Sequence, residues 1–256
     1  MNVIVFDTET IGKVSQDLLN VGYKIIDINI QQLIYDLMVE RDYLVRDLIN
    51  NEVYCLNDDF VGAEKYSKYI IALENKKVIK RSVKQIFTTL ANDIKKHKVI
   101  FGYAYNCNFD IDKFNKTAEK YGIENPLKDL PIFDIWGYAY QYICNTPEYI
   151  EWAKANNLTT ESGCYIPTSV EAVCKYLYNN LDFIEDHTAL SDVQHETNIL
   201  MECVKRGCDI TRALPRAKFI PSGKVFNKII QLPNGELIEV EYTKQYERNN
   251  KITYKM

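Results

Sequence analysis

Two carboxylates stand close together near the beginning of the chain. Asp7 and Glu9 follow the apolar run from Val3 to Phe6, which is typical of a short buried strand. Side chains at positions i and i+2 leave a strand on the same face, so both carboxylates can reach one common space. Oxygen ligands of this kind are the ones that Mg²⁺ prefers. The pair alone is weak evidence, because acidic residues at strand ends are more often solvated than metal-bound.

Two further groups of polar residues lie farther along the chain. Asp110 stands at the start of a helical pattern that follows a strand-like run, and Asp192 stands in the last strong helical pattern. His187 precedes Asp192 by five residues. Residues five apart on a continuous helix point about 140° away from each other. This spacing predicts that His187 lies in the loop before the helix, while Asp192 is held on the helix itself.

These groups together resemble the three exonuclease motifs of the DnaQ-like family. The matching stretches are, in order, Phe6-Asp7-Thr8-Glu9-Thr10-Ile11-Gly12, Tyr105-Asn106-Cys107-Asn108-Phe109-Asp110 and His187-Thr188-Ala189-Leu190-Ser191-Asp192. They occur in the family's order, and the resemblance covers residues 3 to about 205, which is most of the chain. A histidine five residues before the last aspartate is typical of the DEDDh branch. The sister branch has tyrosine four before it, where this chain has Thr188.

The resemblance implies an α/β protein with the RNase H-like fold, in which helices flank a central mixed β-sheet. It implies a metal-dependent 3′→5′ exonuclease that hydrolyses single-stranded DNA from the 3′ end and releases nucleoside monophosphates. Two divalent ions, Mg²⁺ or Mn²⁺, would be held by the carboxylates of Asp7, Glu9, Asp110 and Asp192. Asp7 would bridge the two ions, and His187 would take the proton from the attacking water. Two such ions can stabilise the attacking and the leaving oxygen of a phosphoryl displacement.

The same motifs imply a set of substrate contacts, and these are Thr8, Thr10, Tyr105, Asn106 and Phe109. Tyr105 departs from the family pattern, because family members commonly have histidine before the asparagine. Its ring could stack on a terminal base, as aromatic side chains do on single strands, or it could be an ordinary strand residue. Asn106 could likewise contact substrate or hold the backbone in a turn.

Other interpretations remain open at this point. In the nearest one, the reaction is the same but the substrate is RNA, which gives a 3′→5′ exoribonuclease similar to RNase T and oligoribonuclease. A second is an inactive nucleic-acid-binding or polymerase-associated module, which the intact set of acidic residues argues against. Taken singly, Asp110 could be a helix cap and His187 a surface histidine in an acidic loop.

The elements that must position these residues are predicted from hydrophobic periodicity and turn residues. Extended segments are predicted at Val3–Phe6, Ile25–Val53, Lys98–Tyr105 and Pro131–Ile135, and helices at Val83–Lys98, Phe109–Tyr121, Thr168–Leu177 and from about Leu190 to Gly207. The more polar stretch 146–166 is interpreted as an insertion of one helix and a loop. This alternation predicts a mixed α/β layer fold.

The C-terminal part of the chain changes in character. Residues 216–256 contain eight Lys or Arg and four Asp or Glu, which gives a net charge of +4. Because the whole chain has a net charge of −4, the remaining residues carry −8. Ile229–Leu232 and Leu237–Tyr242 flank Asn234-Gly235, which predicts a β-hairpin. We therefore expect an exonuclease domain at 1–212 and a basic hairpin extension at 213–256. The extension could dock a DNA polymerase or guide a strand.

Composition limits the class of protein. With 256 residues, 46% hydrophobic and 26% charged, the chain is typical of a globular protein. Its net charge argues against bulk electrostatic coating of nucleic acid. Seven cysteines without a C-x-x-C pair argue against a disulfide framework and a zinc ribbon. No apolar stretch approaches the roughly 20 residues of a membrane span. We expect a cytoplasmic protein without membrane contact. The polar stretch 146–166 and the general character of the sequence are similar to exonucleases of bacterial viruses, which would place the protein in the host cytoplasm.

Overall fold

The computed structural model describes residues 1–10, 18–46, 60–215, 217–231, 237–246 and 252–255. Side chains are described in these ranges except for residues 60–66 and those after 224. The strands are β1 (Asn2–Thr10), β2 (Leu18–Asn29), β3 (Ile34–Val45), β4 (Ile79–Arg81), β5 (Phe101–Ala104), β6 (Ile132–Asp134), β7 (Tyr165–Ile166), β8 (Ile220–Pro221), β9 (Val225–Gln231), β10 (Leu237–Tyr246) and β11 (Ile252–Lys255). The helices are α1 (Phe60–Glu74), α2 (Val83–Lys96), α3 (Asn108–Tyr121), α4 (Ile135–Ala139, continued by a π-helical turn at Tyr140–Cys144), α5 (Pro147–Ala155), α6 (Val170–Leu177) and α7 (Ala189–Lys205).

Six strands form one mixed sheet in the order β4-β3-β2-β1-β5-β6. β1, β2 and β3 are antiparallel neighbours, whereas β5 and β6 run parallel to β1 and β4 runs parallel to β3. Helices cover the sheet on both faces. This architecture confirms the predicted α/β class with a mixed sheet flanked by helices, and it is compatible with the expected RNase H-like fold.

Side chains of β1 alternate between two separate apolar cores, as a strand buried on both faces requires. Val3 and Val5 face a core that includes residues of α4, α6 and α7. Ile4 and Phe6 face the opposite core, to which α2 and α3 contribute. All four side chains are fully buried. β1 therefore packs against an apolar core on each face, and this packing fixes the positions of the polar residues that follow Phe6.

Helix α7 packs directly across β1 and β2. Gly22 of β2 makes this approach possible, because a Cβ built there would lie 2.4 Å from the backbone of Ala189 and of Leu190. Gly22 is also the partner of Asp7 in the β1–β2 pairing. The absence of a side chain at this one position thus lets the first turn of α7 lie beside Asp7.

Several predicted boundaries need correction. The single extended region expected at Ile25–Val53 is two antiparallel strands, β2 and β3, joined by a turn in which Leu33 has a positive φ of 57°. A periodicity of two looks the same on both sides of a turn that lacks glycine and proline. Residues 47–53 of that prediction lie outside the described part of the chain. The remaining predicted helices and strands are observed, with ends that shift by up to four residues, as in β1, which runs to Thr10 instead of Phe6.

The C-terminal prediction is also modified. The hairpin strands are present as β9 and β10, and β11 adds a third strand to them; the Asn234-Gly235 turn lies outside the described residues. Ile220 belongs to a buried core cluster, and β8 pairs with β7. The packed body therefore extends past the boundary predicted after residue 212.

Six of the seven cysteines lie in the described residues, and all six are free and buried, as expected for thiols without a disulfide framework. Cys55 lies outside the described residues. Among the helices described, none combines the length and the apolar character that crossing a membrane requires.

Candidate metal and catalytic site

The five residues singled out for chemistry come from four separate segments of the chain. Asp7 and Glu9 lie in the second half of β1, and Asp110 is in the first turn of α3. His187 lies in the loop before α7, and Asp192 is in the first turn of that helix, as their spacing predicts. Ligand atoms of Glu9, His187 and Asp192 all lie within 4.8 Å of one another. Asp7 interacts electrostatically with Glu9, Asp110 and Asp192. The fold thus brings all five side chains to one place.

Thr8 connects β1 to the carboxylate of Asp110. The backbone amide and the hydroxyl of Thr8 both donate to Oδ1 of Asp110, at 3.0 and 2.7 Å. Thr8 is buried between the two acidic residues of the first motif, and its hydroxyl is used for this contact. Thr8 therefore positions Asp110, and its predicted contact with substrate stays a prediction. Alternation along β1 explains this positioning role, because Thr8 points to the opposite face from Asp7 and Glu9.

Asn20 holds the start of α7 against the sheet. This fully buried residue pairs with Glu9 across β1 and β2, and its Oδ1 accepts from the Ala189 amide at 2.8 Å. The Tyr69 hydroxyl of α1 donates to the same oxygen at 3.1 Å. The Asn20 amide nitrogen donates to Tyr43 O at 3.0 Å and also to the neighbouring carboxylate of β3. Every polar atom of this side chain is thus used, and two helices are tied to the strand beside Glu9.

The His187 backbone has φ 52°, a left-handed conformation that is uncommon for residues other than glycine. Such a conformation persists only where the surroundings hold it. Lys68 of α1 donates to the carbonyl of Asp186 at 3.1 Å, and Ser191 donates to the Asp186 carboxylate at 3.3 Å. The His187 side chain is exposed. Two contacts therefore hold Asp186, the residue before His187, while the imidazole remains open to solvent.

A fifth carboxylate, which the sequence interpretation missed, lies in this cluster. Glu196 is one helical turn after Asp192 and only 2% exposed, and it interacts electrostatically with Asp7, Asp110 and Asp192. The available signal was its position: residues four apart lie on the same helix face, so Glu196 shares the buried face of α7 with Asp192. Glutamate is rarely buried without a partner, so its position on the inward face of a helix indicates a special role.

Burial and mutual repulsion raise the pKa values in this cluster. Burial, followed by the neighbouring charges of Asp110 and Glu196, raises the pKa of Asp7 well above its usual value. Burial also raises the pKa of Asp110 to about 7, although the two hydrogen bonds from Thr8 lower it. For Glu196, burial and the charge of Asp110 raise the pKa well above the usual value, and the Tyr105 amide opposes them. Within the described residues, no ion pair reaches Asp7, Asp110 or Glu196.

The chemistry of this donor set fits divalent cations. Oδ2 of Asp7 and Oε2 of Glu196 are buried and have no hydrogen-bond partner among the described residues. Buried carboxylates without partners are destabilising unless a positive charge compensates them. Hard cations such as Mg²⁺ and Mn²⁺ take oxygen ligands, so they would supply the missing charge and occupy the free oxygen lone pairs.

The remaining predicted substrate residues have different environments. Phe109 lies beside Asp110, is 43% exposed, and has Lys113 Nζ 4.7 Å from its ring centroid. Thr10 is partly exposed at the end of β1, and its role stays a prediction. Asn106 has φ 57° and donates its backbone amide to Asp134 at 2.8 Å, which supports the turn interpretation.

Tyr105 makes contacts inside the protein. Its hydroxyl donates to the carbonyl of Thr168 at 2.5 Å, and its ring stacks on Trp136 with 6.4 Å between centroids. These contacts are typical of a structural residue. A base-stacking role for Tyr105 stays a prediction. Asp134 accepts the amides of Asn106 and Trp136 and so has a structural role.

The chain was also compared with known proteins. No protein-family model matches it, and no curated protein matches it at a significant level. The case for its function therefore rests on the residues and the geometry described above.

Proposed function

We propose that this protein is a metal-dependent 3′→5′ exonuclease of the DEDDh type, with an RNase H-like fold, which acts on single-stranded DNA. The observation that carries the proposal is the convergence of Asp7, Glu9, Asp110, His187 and Asp192. These residues were chosen from three sequence motifs separated by roughly 100 and 80 positions, and they meet in one acidic cluster with a histidine at its edge. A chance resemblance in sequence would have no reason to produce this convergence.

The carboxylates would hold the divalent ions. Asp7 and Glu9 project from the same face of β1, Asp192 reaches them from α7, and Asp110 reaches them from α3. Bound ions would supply Lewis-acid stabilisation of charge on the phosphate and would lower the pKa of a bound water. The protein's own contribution is to fix the ligands: Thr8 holds Asp110, and Asn20 with Gly22 seats the helix that carries Asp192.

His187 is suited to accept a proton from the attacking water. A general base must reach its proton directly, and the imidazole is exposed at the edge of the acidic cluster. Contacts from Lys68 and Ser191 hold Asp186, and so support the backbone directly before His187.

The exposed ring of Phe109 would contact the terminal nucleotide. It lies next to Asp110 in the first turn of α3, and aromatic side chains of this kind stack on bases in single strands. Lys113, whose ammonium lies over the same ring and 3.4 Å from the Asp112 carboxylate, would help to hold the ring in place. Such contacts are tolerant of base identity, which is appropriate for an enzyme that removes successive nucleotides.

The test is a degradation assay with strands labelled at the 3′ or the 5′ end, as DNA and as RNA. We expect Mg²⁺- or Mn²⁺-dependent shortening from the 3′ end, faster on DNA, and no reaction in EDTA. The variant Asp7→Asn should be inactive, whereas Asp129→Asn, at a side chain that is 87% exposed, should be as active as the wild type. Faster cleavage of RNA would show that RNA is the preferred substrate and would leave the proposed metal-dependent hydrolysis unchanged. Binding without cleavage under every metal would refute the proposal.

A further inference from the structure

The buried carboxylate of Glu196 is not part of the four-carboxylate set that the motifs imply. We propose that Glu196 supplies a fifth carboxylate to the metal site and contributes to binding of Mg²⁺ or Mn²⁺. This inference rests on the proposed function insofar as it takes the acidic cluster to be a metal site. It adds a residue that the motifs do not include.

Helix geometry places Glu196 in the cluster. It follows Asp192 by four residues on α7, so the two side chains leave the same face of the helix one turn apart. That face packs on β1 and β2, which carry Asp7 and the residue opposite it, Gly22. Glu196 interacts electrostatically with carboxylates from three elements, β1, α3 and α7. It therefore lies within electrostatic reach of the proposed ligands.

The two oxygens of Glu196 have different environments. The backbone amide of Tyr105, just after β5, hydrogen bonds to the carboxylate. Oε2 is buried and has no partner among the described residues. If Glu196 were only a structural residue, this oxygen would be either a buried, uncompensated charge or a hydroxyl donor without an acceptor, and both are unfavourable. A divalent cation in the cluster removes the conflict.

A purely structural explanation would require a compensating group, and the described residues contain none. No ion pair to Glu196 is found among them, and its charged neighbours Asp7, Asp110 and Asp192 share its sign. By contrast, Glu202 on the same helix is paired with Arg206 at 2.8 Å and is partly exposed. This difference provides a matched control within one helix.

The experiment measures Mn²⁺ binding by titration calorimetry and the melting temperature with and without Mn²⁺. Glu196→Gln and Glu196→Met keep the approximate volume of the side chain and remove its charge; Glu202→Gln is the control. We expect at least about a tenfold loss of Mn²⁺ affinity in both Glu196 variants. Without metal, the melting temperature of Glu196→Gln should equal or exceed that of the wild type, because one buried like charge is gone while an acceptor for the Tyr105 amide is kept. Glu202→Gln should bind Mn²⁺ as the wild type does.

The result from either folded Glu196 variant decides the question. Wild-type Mn²⁺ affinity in a folded Glu196 variant would overturn the proposal while leaving the exonuclease proposal intact. If the Glu196 variants lose Mn²⁺ affinity, and the wild type binds Mn²⁺ but cleaves no nucleic acid, the role of Glu196 is supported and the exonuclease function is refuted. A wild-type protein that binds neither Mn²⁺ nor Mg²⁺ would overturn both.

Discussion

Gly22 offers a direct test of how the fold assembles the site. In Gly22→Ala, the new methyl group would lie 2.4 Å from the Ala189 carbonyl carbon and the Leu190 nitrogen, and 2.7 Å from Leu190 Cα. Ordinary van der Waals contact begins at 3.4 Å. The obstructing atoms belong to the helix backbone, so they cannot rotate away as a side chain would. The first turn of α7 must therefore retreat by about 1 Å.

This displacement separates the two halves of the site. Asp7 lies directly opposite Gly22 in the sheet, whereas His187 and Asp192 move with α7. Misplacement of catalytic groups by about 1 Å can lower activity by roughly 10²-fold. Overpacking of this kind also destabilises by about 1–3 kcal/mol. For a chain of this size, that corresponds to a melting temperature lower by roughly 2–12 °C.

The assay compares 3′-end degradation, Mn²⁺ affinity and melting temperature in Gly22→Ala and in Gly122→Ala. Gly122 ends α3 with φ 59° and has open space where a Cβ would be, so alanine there introduces backbone strain without a clash. The control should lose some stability and keep its activity and Mn²⁺ affinity. Wild-type activity and Mn²⁺ affinity in Gly22→Ala would refute the idea that this glycine seats the helix beside Asp7.

Three further predictions concern the base, the helix anchor and the charge of the site. His187→Ala should lower the turnover rate by roughly 10²–10⁴-fold and leave Mn²⁺ affinity nearly unchanged; a large loss of affinity would make His187 a metal ligand instead of a base. Asn20→Ala should lower the melting temperature, since the Ala189 amide and the Tyr69 hydroxyl would lose a buried acceptor, at about 1–3 kcal/mol each; an unchanged melting temperature would contradict that anchoring role. In EDTA, stability should fall as pH rises from about 4 to 7, because burial raises the pKa of Asp110 from 3.8 to about 7 and the folded state binds a proton that the unfolded chain has released. Saturating Mn²⁺ should flatten this dependence, and melting curves at several pH values will measure both effects.

Much of the local structure could be predicted from the sequence. The apolar run of β1 follows from its burial on both faces. The five-residue spacing from His187 to Asp192 correctly predicts a loop residue followed by a helix residue. These features depend on neighbours within a few positions, and such short-range geometry is contained in the order of the residues.

Other features were decided only by the tertiary structure. Thr8 looked like a substrate contact because it stands within the first motif, yet the fold places Asp110 against it. Gly22 and Asn20 carry no recognisable motif; the first matters because α7 crosses the sheet there, and the second because a helix end needs an acceptor at that point. Glu196 belongs to no motif, and its burial depends on how α7 packs on the sheet.

The division between the two groups has one physical reason. Residue type and local spacing determine which side chains can act as ligands or bases and which element each one occupies. Clearance, burial and electrostatic environment depend on segments distant in sequence, such as β2 beneath α7 or α3 beside β1. The sequence by itself therefore determined the candidate chemistry of this protein. Only the packing of β1, β2, α3 and α7 decided that its carboxylates share one space and that a fifth one joins them.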